Sequence, residues 1–299
     1  MIEVDPLNNG LVWSFGSGNG SLCNPGPGSV IGPNDAERLA GGLTLMVGSG
    51  IPNGVTGTVP CMDNRVIIVN QQGSIAWQYG QAGVNGSGPD QLNTPVFAVQ
   101  LPNQDIAIVD QGNARVIVVN STKQIVWSYG PASGPGALQG PNSVEQLTNG
   151  DYLIADQNNN RVIEVNQAGD IVWQYSQGLS IAAFASRLPN NDTLIVDAAD
   201  ERVIEVNSMN QTVWQFYTNE TQGSVAHPYP SNAVRLADGD TSIADTLNNR
   251  IIVVNIQGQI VYQYGTTNLV GNGPNQLFAP YSGYVIGDYT GQTLPPGSS

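Results

Sequence analysis

Few residues in this chain could do chemistry. Among 299 residues there is one histidine, His227, one lysine, Lys123, and two cysteines, Cys23 and Cys61. Imidazole is the side chain best suited to general-base or nucleophilic work near neutral pH. His227 stands in Val225-Ala226-His227-Pro228-Tyr229-Pro230. With no second histidine, a zinc site built from several imidazoles is excluded. A lone loop histidine is more often an ordinary surface residue, so catalysis at His227 is kept as the alternative reading. The cysteines form no C-x-x-C motif, which removes thioredoxin-type chemistry and zinc knuckles. They can form one disulfide, Cys23–Cys61, or remain two buried thiols.

A second group of charged residues recurs. Asp110, Asp156, Asp197 and Asp245 each stand five residues before an arginine, at Arg115, Arg161, Arg202 and Arg250. An active site is needed once, whereas a turn is needed in every repeat. The expected role is therefore structural: the carboxylate caps a turn and pairs with the guanidinium. Arg65 opens the same phrase without such an aspartate before it. The other arginines, Arg38, Arg187 and Arg235, each precede a repeated leucine.

These residues sit on a repeat. Arg161-Val162-Ile163-Glu164-Val165-Asn166 followed by Trp173-Gln174-Tyr175 recurs from Arg65, Arg115, Arg202 and Arg250, and in a beheaded copy at Ile2–Phe15. Each segment is short, rich in Val, Ile, Tyr and Trp, and bounded by Gly, Asn or Asp, as strands joined by hairpins are. Four strands per roughly 45–50 residues is the period of a propeller blade. The reading is an all-β six-bladed β-propeller with four-stranded antiparallel blades. The first copy lacks its inner strands and the last its outer ones. The last blade is therefore expected to close by joining residues 2–5 and 11–15 to residues 279–288. The expected organisation is a single propeller over residues 1–291 and a Pro/Gly/Ser tail at 292–299. The aromatic column Trp13, Trp77, Trp127, Trp173, Trp214 and Tyr262 is expected to pack between blades.

Gly86-Ser87-Gly88-Pro89-Asp90-Gln91-Leu92-Asn93-Thr94-Pro95 and its partner from Gly271 to Pro280, each set among Asp-x-x-Asn-x-Arg phrases, resemble NHL-repeat propellers. The Val-Trp-Gln-Tyr ending also resembles arylsulfotransferase-like propellers. The resemblance implies a fold and says little of function. In arylsulfotransferase-like enzymes a histidine on the channel face is the nucleophile, which is what gives His227 its alternative role. Some NHL propellers bind RNA through a basic face. Here all eight arginines fall at repeat positions, so no nucleic-acid surface is expected.

Where the repeat breaks, binding becomes the natural expectation. Inner strands begin with Asn34-Asp35, Asn142-Ser143 and Ser231-Asn232, against Val96-Phe97 and Ala183-Phe184 elsewhere. With His227 and Tyr281 these polar positions form the expected channel-mouth site. It could hold a small polar ligand or, through Asp35 and amide oxygens, Ca²⁺. A twelve-residue insertion before Arg65 adds an elongated loop that Cys23 would clamp.

Composition narrows the class further. Formal net charge is −14, from 23 acidic and 9 basic groups. No segment approaches the roughly 18 apolar residues of a membrane span. The expectation is an acidic, monomeric, secreted or surface-attached binding module whose partner is a protein, glycan or small polar ligand. Cytoplasmic location is the lesser expectation. The alternatives are an enzyme (a His227-dependent transferase or lyase, or a Ca²⁺-dependent hydrolase at the channel mouth) and a structural scaffold in an envelope assembly.

Overall fold

The computed structural model describes residues 1–16, 26, 28–51 and 61–287. An N-terminal two-stranded sheet, β1 (Ile2–Asp5) and β2 (Gly10–Ser14), precedes five four-stranded sheets. Blade one is β3 (Pro33–Arg38), β4 (Thr44–Ile51), β5 (Cys61–Val69) and β6 (Ile75–Tyr79). Blade two is β7 (Pro95–Gln100), β8 (Ile106–Asp110), β9 (Arg115–Val119) and β10 (Ile125–Tyr129). Blade three is β11 (Pro141–Gln146), β12 (Tyr152–Asp156), β13 (Arg161–Val165) and β14 (Ile171–Tyr175). Blade four is β15 (Ala182–Arg187), β16 (Thr193–Asp197), β17 (Arg202–Val206) and β18 (Thr212–Tyr217). Blade five is β19 (Asn232–Arg235), β20 (Thr241–Asp245), β21 (Arg250–Val254) and β22 (Ile260–Tyr264). Strand order within each blade follows the chain. The described residues fall into two compact units: Met1–Asp5 with Leu11–Val144, and Pro6–Gly10 with residues 145–287.

Local chemistry explains each blade. The second strand is buried along its whole length, as in Ile106–Asp110 and Tyr152–Asp156, so it reads as a continuous apolar run and not as an alternation. Between the second and third strands a short 3-10 turn ends on a left-handed residue: Ala114, Asn160, Glu201 or Asn249. The asparagine after the third strand closes the next hairpin. Asn120 Oδ1 accepts the Gln124 amide at 2.9 Å, and Asn166, Asn207 and Asn255 repeat the bond. The fourth strand carries a bulge at its start, between Ile125 and Trp127 in blade two. The bulged Val126 is 53% exposed. Bulges twist a sheet edge away from edge-to-edge pairing, which these uncharged outer strands otherwise invite.

Blades pack through apolar faces. Leu39, Leu45, Val47, Val66 and Tyr79 of blade one form one core with Ala98, Ile108 and Ile117 of blade two. In the second unit, Leu153, Val162 and Tyr175 share a core with Ala185, Ile195 and Ile204. The other face of blade one, Met46, Ile67 and Val69, is covered by Phe15 and Trp13 beside β2.

Two expectations are corrected. Among the described residues there are five four-stranded blades, not six, and no composite last blade. Among the described residues, 279–287 contain no strand, and β1 pairs only with β2. Residues 281–284 instead lie on blade five. Ser231 Oγ donates to the Tyr281 carbonyl at 2.7 Å and Ser242 Oγ to the Gly283 carbonyl at 3.1 Å. Gly283 and Gly287 weaken strand formation here, because glycine loses the most freedom on ordering and offers no side chain to pack. The last residues of the expected composite blade and the 292–299 tail lie outside the described residues. The middle of the expected insertion loop, residues 52–60, lies outside the described residues. Its flanks continue the β4–β5 ladder, pairing Gly50 with Met62 and Ile51 with Cys61.

Candidate functional site

The Asp–Arg element is a buried staple at the end of the second strand. Arg115 Nε donates to Asp110 Oδ2 at 2.7 Å, Arg161 to Asp156 at 2.7 Å, Arg202 to Asp197 at 2.9 Å and Arg250 to Asp245 at 2.7 Å. Asn113, Asn159 and Asn248 donate to the same carboxylates at 2.7–2.8 Å. The second oxygen reaches the incoming connection: Asp110 Oδ1 accepts the Asn93 amide, and Asp197 Oδ1 the Ser180 amide. Burial pushes the carboxyls of Asp110, Asp197 and Asp245 up, outweighing these partners.

Blade one reaches the same geometry by another route. Gly48 pairs with Arg65 where the other blades place an aspartate. A Cβ at Gly48 would collide with the Asp63 carboxylate, which fills that space. Asp63 bonds Arg65 Nε and accepts the Ile31 amide at 2.7 Å. Sequence spacing missed Asp63 because the insertion moved the carboxylate from β4 to β5.

A second repeated contact was not foreseen. Arg187 lies 4.8 Å from the Trp173 ring centroid and pairs with Glu164 at 2.8 Å. Arg235 lies 5.1 Å from Trp214 and pairs with Glu205 at 2.7 Å. Arg38 lies 4.7 Å from Trp13 and pairs with Glu3. The guanidinium thus joins one strand pair to the next blade through stacking and an ion pair. The signal was present in the sequence: Ile-Glu-Val at 2–4, 163–165 and 204–206 accompanies these arginines. Where Ile68 and Val118 replace the glutamate, Gln100 and Gln146 replace the arginine.

The expected channel-mouth residues are mostly buried. In the first unit Asn34 is half-buried, and Asp35, Asn142 and Ser143 are buried. Asn142 Oδ1 accepts from Gln111 Nε2 at 3.2 Å. In the second unit Ser231, Asn232 and Tyr281 come together. Ser231 also bonds Thr246 at 2.7 Å, and Asn232 reaches the Tyr284 hydroxyl at 3.4 Å. Beside Asp35 on β3 is a residue the sequence reading passed over. Glu37 is 5% exposed, and its Oε2 has no hydrogen-bond partner among the described residues. Burial, then the Asp35 charge, pushes its carboxyl well above the usual carboxylate range. No group of three or more His, Cys, Asp or Glu set to hold a metal occurs among the described residues.

His227 is 84% exposed, and its Nδ1 lies 3.0 Å from Glu201 Oε1. Glu201 is buried, and its Oε2 accepts the Tyr229 amide at 2.7 Å. Glu201 occupies the left-handed position that Asn64, Ala114, Asn160 and Asn249 take in the other blades. An open groove of about 680 Å³ lies nearby in sequence, lined by Phe216, Tyr217, Glu220, Thr221 and Ile260. No expected site residue lines it. Cys61 is buried, no free cysteine is found among the described residues, and Cys23 lies outside them.

This is a β-propeller built of four-stranded antiparallel blades. The model of the PQQ_2 family, described as outer membrane protein assembly factor BamB, matches residues 3–188. The match spans more than half of the chain, and the chain belongs to that family, which replaces the NHL assignment. No curated protein matches the chain. Among solved structures, a streptogramin B lyase is 16% identical with a TM-score of 0.56, over 82% of this chain and 71% of that one. A catalytically inactive histidine-to-alanine variant of virginiamycin B lyase from Staphylococcus aureus, solved with quinupristin, is 14% identical with a TM-score of 0.55, over 79% and 71%. A protein of unknown function from Bacteroides caccae is 13% identical with a TM-score of 0.63, over 87% of each chain. At these identities the likeness is one of fold.

Removing one partner of a buried staple strands the other. Arg250 and Asp245 are 2% and 0% exposed. Asp245→Ala is expected to cost about 3–5 kcal/mol, read as a lower chemical-denaturation midpoint. A cost near that of a surface substitution would refute the staple.

Proposed function

We propose that this chain is a non-enzymatic binding propeller that works outside the cytoplasm, in the assembly of envelope proteins. The observation that carries this reading is the family match over residues 3–188. A factor described by its part in outer-membrane protein assembly acts by contacting other polypeptides. The rest of the molecule is in keeping with it. Each arginine is committed to an ion pair within the fold, so the repeated charges are spent on architecture. The loops remain for recognition. His227, held by buried Glu201 beside Tyr229, gives one loop a fixed polar anchor.

The test uses a urea-unfolded outer-membrane β-barrel polypeptide as probe, diluted into the purified chain and followed by fluorescence anisotropy. Saturable binding is expected, weakened several-fold by His227→Ala. A flat titration, alongside a chain shown to be folded, would sink the reading.

The pairing of Cys23 with Cys61 belongs to the same proposal, since disulfides persist in oxidising compartments. Its motivation is the buried Cys61. Intact mass under non-reducing conditions should fall two hydrogens short of the fully reduced chain; a mass at the reduced value would retire the bridge.

The enzyme reading is favoured by one observation. Glu201 holds Nδ1 of His227 and leaves the other ring nitrogen facing solvent, an orientation suited to a general base. A structural neighbour is a lyase whose histidine-to-alanine variant is described as inactive. Quinupristin incubated with the purified chain should stay intact if the binding reading holds. Turnover of quinupristin that His227→Ala abolishes would instead establish the enzyme.

A further inference from the structure

Blade four ends differently from the other blades. Their fourth strands stop at a tyrosine: Tyr79, Tyr129, Tyr175 or Tyr264. A small residue follows each, at Gly80, Gly130, Ser176 or Gly265. In blade four Phe216 holds the tyrosine's place, and β18 runs one residue further, to Tyr217. A 3-10 turn, Thr218–Glu220, comes next, and among the described residues no other fourth strand is followed by one. Thr218 is fully buried and pins this turn. Its amide and its hydroxyl donate to the Glu201 carbonyl at 2.8 and 3.0 Å.

The change releases a glutamine. Gln78 Nε2 donates to the Gly80 carbonyl at 2.8 Å, and Gln263 Nε2 to the Gly265 carbonyl at 2.7 Å. Gln174 and Gln263 accept from Arg161 and Arg250. Gln215 takes the same position in blade four. There Arg202 bonds the Tyr217 side chain instead, and the exposed Gln215 amide has no hydrogen-bond partner among the described residues. Gln215 lines the open groove of about 680 Å³ together with Tyr217, Glu220 and Gln222, and with Gly258 and Ile260 of blade five.

This lining selects a class of ligand. No lysine or arginine lines the groove, so an anion would meet only the Glu220 carboxylate. One carboxylate offers too few charged oxygens to gather a divalent cation. An apolar ligand would cover two amides and a carboxylate without pairing them. A sugar suits every group present. Its hydroxyls donate to the carboxylate and exchange hydrogen bonds with the two glutamines. Its C–H face can lie on the Tyr217 ring, whose hydroxyl is already engaged by Arg202. The volume falls within the range of roughly 300–1,000 Å³ of small-molecule sites. We propose that this groove at the outer strand of blade four binds a neutral pyranose oligosaccharide. The pinned 3-10 turn holds Glu220 in place before the ligand arrives, which lowers the cost of binding. The site is separate from the His227 loop, so its failure would leave the polypeptide-binding reading intact.

The test is calorimetry of the full chain with maltotriose, cellotriose and chitotriose, which differ in linkage and in N-acetylation. At least one should bind saturably with one site per chain. Gln215→Ala and Glu220→Ala alter exposed side chains and should leave the unfolding midpoint unchanged. Each should weaken binding about tenfold or more, as loss of hydrogen bonds to the ligand does. Tyr217→Phe keeps the ring and should bind as the parent does, whereas Tyr217→Ala should not bind. No binding of any of the three at millimolar concentration would overturn the site, and so would binding that survives both Gln215→Ala and Glu220→Ala. Silence with the sugars, combined with weaker binding of the unfolded β-barrel polypeptide by those two variants, would assign the groove to peptide and overturn the saccharide reading.

Discussion

A blade of this protein cannot stand alone. Its second and third strands bury nearly every residue, so both faces of each sheet need cover. A free-standing four-stranded sheet of this composition would expose apolar area that water strongly disfavours. Three residues before the repeat leucine stands a small residue in four of the five blades (Ala36, Ala98, Ala185 and Ala233) and Val144 in blade three. The need for cover also accounts for the chain ends. The β1–β2 hairpin covers Met46 and Ile67 without completing a blade. Residues 281–284 lie on blade five without forming a strand, and Gly283 is in contact with Ile251.

The same constraint explains what was legible in the sequence. A unit that must pack identically many times repeats its strands, turns and staples, and all of these could be read from spacing. The number of blades could not. Six partial copies were countable, but a copy in the sequence records a segment able to lie on a neighbour, not one that must hydrogen-bond into a sheet. Hydrogen bonding at the C-terminal end depends on a partner strand that the spacing alone does not supply. The Trp–Arg–Glu contact was written plainly in the matched presence of glutamate and arginine. It escaped because the two residues belong to successive units, and a comparison made position by position looks within one unit. Asp63 escaped for the opposite reason: an insertion shifted the residue while the fold preserved the place of its carboxylate.

The repeat staples themselves carry a cost. Burial raises the carboxyls of Asp110, Asp197 and Asp245 despite guanidinium and amide partners. Taking the charges out of water therefore outweighs what the partners return at those carboxyls. Such pairs are poor evidence of net stability. What they provide is direction. Each carboxylate fixes the third-strand arginine and, at Asp110 and Asp197, the incoming connection as well. Loops are thereby held at defined angles, which is the service a binding propeller needs from its frame.

Against that background the exceptions become informative. A repeated residue is accounted for by the need to build the same unit again, and it leaves no room for a special role. Glu201 departs from this, because an acidic residue holds a left-handed position that asparagine or alanine fills in the other blades. The chain's one histidine is bonded to it. Glu37 departs in another way, because one oxygen of its buried carboxyl has no hydrogen-bond partner among the described residues. Both exceptions place acidic groups where the architecture alone does not require them. A chain with 23 acidic and 9 basic groups has spent its cations on structure and kept its surplus anions. In the proposed binding role, selectivity has to come from where those anions are held.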